Sequence, residues 1–270
     1  MSPVFVFDIE TIPDVAGLRI LHALPARLSD AEVADYAFQH CRAKNGSDFL
    51  PHYLQRVVTI SCAMRDEKNF QIFSLSEPEL NEITIIQRFF DGIEKWTPQV
   101  VSWNGSGFDM PVLHYRSLMH GVVASRYWDV GQGGYSDSCD FKTNNYINRY
   151  HARHLDLMGM LALHQSRANA PLDDLAKLAG FPGKLDMDGS QVWQAYQDGR
   201  IGDIRRYCEI DVINTYLVFL RFQLMRGVLS KETYAQETAV VRDTLNRNEA
   251  SHWQVFLQAW PMDSSAAGAV

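Results

Sequence analysis

Residues 4–12 read VFVFDIETI, an apolar run that is interrupted by two acidic residues, Asp8 and Glu10. Continuous Val, Phe and Ile are typical of a strand that is buried on both faces, as at the centre of a sheet flanked by helices. Because residues two apart in a strand point to the same side, this strand holds both carboxylates close together at the edge of a dry core. We therefore expect a positive group near both side chains.

The charge of these two side chains predicts a metal ion. Two neighbouring carboxylates in a low-dielectric environment are costly unless they are protonated, paired or bound to a metal. Residues 1–18 contain no Lys or Arg. A hard divalent cation, which prefers oxygen ligands, is therefore the simplest partner.

Length and composition are those of an ordinary globular protein. The chain has 270 residues, of which 46% are hydrophobic and 21% are charged, so it can bury a sizeable core. The net charge of −7 argues against a protein that coats nucleic acid nonspecifically, because such affinity comes mainly from neutralised phosphates. An enzyme with a local basic groove remains compatible with this charge.

The cysteines and the apolar segments bear on the location of the protein. Four widely spaced cysteines without a CxxC pair fit reduced thiols better than disulfides or a zinc site. No basic region precedes the first apolar run, and no segment approaches ~20 uninterrupted apolar residues. We therefore expect a cytoplasmic protein that does not enter a membrane.

The order of the predicted elements, strands first and helices after, indicates a mixed α/β fold. Strands are predicted at residues 4–12, 57–64, 69–76 and 99–103, and the second and third form a hairpin. Helices are predicted at residues 29–44, with Ser29 or Asp30 as the cap, within 76–96, from near Pro111, and over about 202–226. Residues 122–153 show little periodicity, which predicts a long loop that crosses or borders a site.

Two later motifs place further functional groups at the ends of predicted elements. In NGSGFD, residues 104–109, Asp109 follows a buried strand. In YCEID, residues 207–211, Tyr207 and Asp211 lie one helical turn apart. Each residue also has a simpler explanation: Asp109 could cap a helix, Asp211 could lie on the solvated side of one, and Tyr207 could be a boundary aromatic residue.

Three stretches together carry a family resemblance. FDIET, NGSGFD and YCEID occur in this order at intervals of roughly a hundred residues, and they resemble the motifs of the DEDD superfamily of 3′-to-5′ exonucleases. The stretch VVSWNGSGFDMPVLHYRS, residues 100–117, further resembles free-standing proteins related to the exonuclease domain of family B DNA polymerases. Arg206 stands where the other major branch of the superfamily has His, so the chain resembles the tyrosine branch.

The resemblance implies a ribonuclease H-like fold, in which helices flank a mixed β-sheet, with a mostly helical C-terminal part. The exonuclease domain would span residues 1–226, with insertions at about 13–56 and 121–153. Residues 227–270 would form a helical extension and end in a disordered tail, DSSAAGAV, at residues 263–270.

The resemblance also implies a catalytic site for two ions, Mg²⁺ or Mn²⁺. Asp8 would bridge both ions. Glu10 and Asp211 would complete the site of the ion that holds the nucleophile, and Asp109 would hold the second ion through water. Tyr207 would orient the attacking water.

The implied activity is the release of 5′-mononucleotides from the 3′ end of a single-stranded nucleic acid, with DNA favoured over RNA. The residues implied to grip the terminal nucleotide are Ile9, Thr11, Asn104 and Phe108. In the predicted loop, basic residues alternate with aromatic ones, namely Arg126, Lys142, Arg149 and Arg153 with Tyr127, Trp128, Tyr135, Tyr146 and Tyr150. Such a pattern suits phosphates held by charge and bases stacked on rings; the alternative is a surface loop with incidental charges.

Other functions remain open at this stage. A nucleic-acid-binding module could have kept the fold and lost turnover, although all four carboxylates and Tyr207 are present. An exoribonuclease and a metal phosphohydrolase for small phosphoesters are further alternatives, and the last would leave the basic aromatic loop unused. Asp156, in HLDLM at residues 154–158, either supports the site behind a metal ligand or caps a helix.

Overall fold

Five strands form one mixed sheet in the computed structural model, which describes residues 3–185 and 187–261. The strands are β1 Val4–Pro13, β2 Gln55–Arg65, β3 Phe70–Ser76, β4 Gln99–Ser102 and β5 His154–Asp156. Their order is β3-β2-β1-β4-β5, with β1 and β2 antiparallel, β2 and β3 antiparallel, and β1, β4 and β5 parallel. The four predicted strands are confirmed, whereas β5 is too short to show an alternating pattern. The predicted tail, residues 263–270, lies outside the described residues.

The helices include all those predicted. They are α1 Val15–His22, α2 Asp30–Asn45, α3 Glu82–Trp96, α4 Asp109–His120, α5 Ser138–Phe141, α6 Leu157–Leu161, α7 Leu172–Leu178, α8 Val192–Gln197, α9 Ile201–Met225, α10 Lys231–Arg247 and α11 Ser251–Ala259. Ser29 caps α2 through a reciprocal pair of hydrogen bonds with Glu32. Across the described residues, no helix combines the length and the apolar character that a bilayer crossing requires.

The two faces of β1 pack against different helices. Phe5 and Ile9 belong to the core formed with α3 and α4, whereas Val6 belongs to the core formed with α9. Because side chains alternate along a strand, Asp8 and Glu10 share the side of Val6 and face α9. The apolar alternation of β1 thus aims both carboxylates at the longest helix of the described chain.

The last helices pack on the same core as α9. Leu245 of α10 and Trp253 and Phe256 of α11 are fully buried in the cluster that contains Val6 of the sheet. Residues 227–261 therefore complete the main core rather than standing apart from it. The domain boundary at residue 226 stays a prediction.

A β-bulge interrupts the pairing of β1 with β2 beside the acidic residues. Glu10 lies opposite Thr59 and Thr11 lies opposite Val57, so Val58 is the extra residue. A bulge bends the strand and increases its twist, and such irregularities are frequent next to active sites. The amide of Val57 donates instead to Glu82 of α3 at 2.8 Å, so its N–H remains satisfied.

Arg116 of α4 links this region through a buried ion-pair network. Its side chain is 4% exposed and contacts Asp14, which caps α1, and Glu82, which opens α3. The contact with Glu82 is bidentate, at 2.6 and 2.8 Å. Three helices and the start of β2 therefore depend on one guanidinium group.

Replacement of Arg116 by Met should destabilise the fold by about 3–5 kcal/mol, because it leaves Asp14 and Glu82 buried without their cation. The measurement is the free energy of unfolding from urea titration. Arg42→Met is the matched control, since Arg42 pairs with Asp48 on the surface and both side chains are at least half exposed. A loss for Arg116→Met no larger than that for Arg42→Met would contradict the role of the network.

Candidate metal and catalytic site

Three elements bring four carboxylates together. Asp8 and Glu10 come from β1, Asp109 is the first residue of α4, and Asp211 lies near the middle of α9. The amide of Ile9 donates to Asp109 Oδ1 at 3.2 Å, which ties Asp109 to the strand between the other two acids. The structure therefore assembles the acidic residues that were predicted from the sequence.

Burial makes this cluster electrostatically costly. Glu10, Asp109 and Asp211 are 8%, 3% and 7% exposed. Burial raises the pKa of Asp109 to about 7 and that of Asp211 to about 6. It also raises the pKa values of Asp8 and Glu10 well above their usual range, and the neighbouring carboxylates raise them further. Without a cation, the cluster therefore resists full ionisation at neutral pH.

Lys184 supplies one cation that the sequence analysis missed. Its Nζ lies 3.7 Å from Asp211 Oδ2 and donates a hydrogen bond to the hydroxyl of Tyr207. Burial, followed by the charge of Asp211, raises the pKa of Tyr207, so its hydroxyl stays neutral. Lys184 lies in the connection between α7 and α8, where no periodicity or motif distinguishes it from a surface lysine.

Cys208 contacts the cluster as a hydrogen-bond donor. Its Sγ lies 3.3 Å from the carbonyl oxygen of Asp8 and 3.5 Å from Asp8 Oδ2. The ligand atoms of Asp8, Glu10 and Cys208 lie within 4.8 Å of one another. Burial raises the pKa of the Cys208 thiol well above its usual range, so the thiol keeps its proton in this hydrogen-bonded arrangement.

The oxygen atoms of this cluster fit a hard divalent cation. Among the residues that the structure describes, no hydrogen-bond partner reaches Asp211 Oδ1, although this atom is buried. An unsatisfied buried acceptor is rare, and here it belongs to a group of carboxylates that Lys184 neutralises only in part. Carboxylate oxygens suit Mg²⁺ and Mn²⁺.

The NGSGFD turn is fixed by Asp156. The two carboxylate oxygens of Asp156 accept the amides of Asn104 and Ser106, each at 3.0 Å. Asp156 also caps α6 through the amide of Gly159 at 3.2 Å. The predicted capping role is confirmed, and the same side chain holds the turn that leads to Asp109. Its role behind a metal ligand stays a prediction.

The turn also requires a close backbone approach at Gly105. A Cβ atom there would lie 2.2 Å from Ser102 Oγ and 2.5 Å from Ser102 Cβ. The Ser102 hydroxyl is itself engaged with His154 Nε2 at 2.9 Å. Glycine is therefore needed for the turn to pass over the end of β4.

A cavity of about 610 Å³ opens in front of the carboxylates. It is lined by Asn104 and Phe108, two of the residues predicted to hold the terminal nucleotide. The side chain of Ile9 is instead buried on the opposite face of the sheet, and Thr11 Oγ1 donates to Gln55 at 3.0 Å. We therefore expect the side chain of Ile9 to make no contact with a substrate.

The first insertion packs against Phe108, which lines this cavity. Phe49 and His52 place their rings 5.5 and 5.7 Å from the ring of Phe108, and His52 Nε2 lies 3.0 Å from the carbonyl oxygen of Gly107. The segment at residues 13–56 thus returns to the site and supports Phe108 from outside.

Two of the predicted phosphate-binding residues have a structural role. Arg126 is 3% exposed, pairs with Asp129 and Asp137, and lies 4.1 Å from the ring centre of Phe141. The guanidinium carbon of Arg153 lies 3.9 Å from the centre of the same ring, and Arg153 donates a hydrogen bond to the carbonyl oxygen of Asn144. Both guanidinium groups stabilise the loop. The prediction that Arg126 holds a phosphate is wrong because its side chain is buried, and that for Arg153 stays a prediction.

The position of Arg153 in the sheet is far from the carboxylates. Arg153 immediately precedes β5, and its carbonyl oxygen accepts the amide of Val100. It therefore lies at the amino ends of the parallel strands, whereas Asp8 and Asp156 lie toward their carboxyl ends. A phosphate held at the carboxylates is at the opposite end of the sheet.

The other predicted loop residues divide by exposure. Tyr127 and Tyr146 are buried in the core, whereas Trp128 and Tyr150 are exposed. Arg149 is exposed and lies over the ring of Tyr150. Lys142 is exposed at the end of α5, and its role in binding stays a prediction.

Comparison with known proteins identifies the relatives of this arrangement. Residues 47–260 match the family described as "Predicted 3'-5' exonuclease related to the exonuclease domain of PolB". This range is more than half of the 270-residue chain. Asp109, Tyr207 and Asp211 lie within it, and Asp8 and Glu10 precede it. The resemblance stated from the motifs is confirmed.

Polymerases are similar to the chain over a small part of their length. The DNA polymerase epsilon catalytic subunits A of Emericella nidulans and Aspergillus fumigatus are each 26% identical over 160 residues, which cover 57% of this chain and 6% of the polymerase subunit. The solved family B DNA polymerase of the archaeon Pyrobaculum calidifontis matches with a TM-score of 0.51 and 17% identity, over 83% of this chain and 25% of that chain. The structural likeness confirms the ribonuclease H-like fold.

Gly105→Ala should destabilise the protein by about 1–3 kcal/mol, because the new methyl group overlaps Ser102 and must displace the turn. The free energy of unfolding from denaturant titration measures the effect. Gly134→Ala is the control, since a Cβ there has no atom within 4 Å. Equal stability of the two variants would show that the turn can shift freely over β4.

Proposed function

Because the chain belongs to this family of predicted 3′-to-5′ exonucleases, we propose that it hydrolyses the phosphodiester bond at the 3′ end of single-stranded nucleic acid. DNA is the favoured substrate, and 5′-mononucleotides are the products. The observation that carries this proposal is the cluster of four carboxylates, of which Asp8, Asp109 and Asp211 line one cavity and Glu10 adjoins Asp8. Lys184 also lines this cavity and contacts Tyr207 and Asp211.

The carboxylates would hold two divalent cations, Mg²⁺ or Mn²⁺. When bound, these ions supply an activated water and stabilise the oxygen that leaves. Asp8 would contribute to both ions, a role that is supported by its closeness to Asp109 and Asp211, whose charges both act on it. The unpaired Oδ1 of Asp211 offers a further ligand atom.

Tyr207 would position the attacking water. The ammonium group of Lys184 has only protons to donate, so the oxygen of Tyr207 accepts that hydrogen bond. The proton of the Tyr207 hydroxyl then points toward another acceptor in the site, and the Asp211 carboxylate is one such acceptor. Because its pKa is raised, Tyr207 orients a water molecule and does not remove its proton.

The walls of the acidic cavity would hold the terminal nucleotide. Asn104 offers an amide group and Phe108 an aromatic ring next to Asp109. Both side chains sit on the turn that Asp156 fixes. Their placement suits a sugar and a base whose 5′-phosphate lies at the carboxylates.

Digestion of matched DNA and RNA strands tests the proposal. With a 5′ label, we expect a ladder that shortens by one nucleotide at a time in Mg²⁺ or Mn²⁺, and with a 3′ label we expect immediate release of a mononucleotide. EDTA should abolish both. Asp8→Ala should remove activity, whereas Asp198→Ala, at the exposed end of α8, should not. Binding of strands without cleavage would instead favour the silent module, and preference for RNA would favour the exoribonuclease.

Tyr207→Phe and Asp211→Asn should fail in different ways. A positioned proton donor is commonly worth about 10²-fold to 10⁴-fold in rate, so Tyr207→Phe should lower kcat by about that factor while Mn²⁺ still raises the melting temperature. Asp211→Asn removes a ligand charge, so it should weaken the Mn²⁺ shift, and additional Mn²⁺ should restore part of its activity.

Melting temperature over a Mn²⁺ titration and single-turnover rate give the two readouts for each variant. A Tyr207→Phe enzyme that cleaves at the wild-type rate would remove the role given to its hydroxyl. A Tyr207→Phe enzyme that loses the Mn²⁺ shift would show that Tyr207 supports the ligands rather than the water.

A further inference from the structure

A second cavity adjoins the acidic one at the NGSGFD turn. It has a volume of about 570 Å³. Its wall shares three residues with the acidic cavity, namely Asn104, Met158 and Asn169. A chain that leaves the carboxylates past Asn104 therefore enters this second cavity directly.

Three aromatic side chains from the second insertion line this second cavity. Tyr127 and Tyr146 are buried beneath the cavity, with their rings stacked at 5.6 Å. Trp128 is 48% exposed and packs its ring 4.7 Å from that of His114. A rigid floor with one half-exposed indole offers a face on which a planar base can stack.

The charge of this cavity differs from that of the first. The acidic cavity is lined by five aspartates and Lys184, the aspartates being Asp8, Asp109, Asp173, Asp174 and Asp211. The second cavity is lined by Asp156, whose two oxygens both accept backbone amides, and by the exposed Arg149. A phosphate upstream of the scissile one is therefore better accommodated beside Arg149 than beside the aspartates of the acidic cavity.

Backbone strain is concentrated at the same place. Among the described residues, five other than Gly have positive φ, and two of them, Ala23 and Thr97, end helices. The other three are Asn104, at the junction of the cavities, and the consecutive pair Leu163 and His164. Such conformations persist only where the surrounding structure determines them, and they cluster at ligand sites.

The strained pair is held by contacts from both sides. The ring of His164 approaches Gly159 so closely that a Cβ there would lie 3.3 Å from His164 Nδ1. On its other side, Tyr150 makes an edge contact with His164 at 5.8 Å between ring centres. The second insertion and the segment after α6 are thus joined into one rim around the cavity.

We infer that the second cavity binds the base of a nucleotide on the 5′ side of the one that is removed, stacked on Trp128, with Arg149 at a neighbouring phosphate. This inference rests on the proposed function. The terminal nucleotide has no further phosphate beyond its own, so it gains nothing from Arg149. A strand that continues upstream has further phosphates and can bind Arg149. Such a strand also needs an open exit from the cavity, which lies beside Tyr150 and Arg149.

Coupling between Trp128 and single bases tests this inference. Ten-nucleotide single strands would each carry one abasic residue, at the terminal position or at one of the next four positions, and kcat/KM would be measured in Mn²⁺. Stacking on an aromatic side chain is worth about 1–3 kcal/mol per base, which corresponds to about fivefold to 150-fold. Wild type should lose that factor at one upstream position, and Trp128→Ala should be insensitive to the same abasic residue.

Further substitutions at Trp128 and at another exposed tryptophan test whether the effect belongs to the Trp128 ring. Trp128→Phe keeps a ring and should restore part of the sensitivity, and Trp128→Leu replaces Trp128→Ala if the latter does not fold. Trp96→Ala removes another exposed indole, at the end of α3, and should keep the wild-type profile. Arg149→Ala should raise KM for the strand and flatten its dependence on salt.

Three outcomes would overturn the inference. One is the same abasic profile in wild type and Trp128→Ala, and another is coupling of Trp128 to the terminal base. In both cases wild type still cleaves, so the proposed function survives. Failure of wild type to cleave any of the strands would overturn the inference together with the proposed function.

Discussion

The packing of Asp8 and Glu10 against α9 is the constraint around which the site is built. The odd-numbered residues of β1, such as Phe5 and Ile9, fill the core beneath α3 and α4. Because side chains alternate along a strand, Asp8 and Glu10 must therefore point to the opposite face, toward α9. The neighbouring groups reduce the cost only in part: Cys208 donates to Asp8, and Lys184 stands beside Asp211. The remaining negative charge matches the oxygen-rich surroundings that divalent cations prefer.

The surrounding fold fixes the geometry of this cluster from several directions. Parallel pairing places the carboxyl ends of β1, β4 and β5 at one edge of the sheet. Asp156, at the end of β5, can therefore hold the turn after β4, and that turn delivers Asp109 to the amide of Ile9. Arg116 secures the opposite flank, where the bulge in β2 and the start of the first insertion meet. Rigid support of this kind is what a preorganised site requires.

The second insertion shows why composition overstates a binding surface. Arginine beside aromatic residues is equally typical of cation–π packing inside a fold and of nucleic-acid binding on its surface. Arg126 and Arg153 use the ring of Phe141 in the first way. Trp128 and Arg149 remain exposed beside a cavity. Their neighbours in sequence gave no indication of this division, since it depends on which side of the loop faces the core.

The sequence by itself determined four of the five strands, the long helix and the order of the acidic motifs, because periodicity and spacing are local properties. It also indicated that Asp8 and Glu10 need a cation. Only the tertiary structure decided that Lys184 would approach Asp211, that Asp156 would hold the turn before Asp109, and that the short strand β5 would complete the sheet. These relations join residues tens of positions apart, so the physical signal that creates them exists only after the chain has packed.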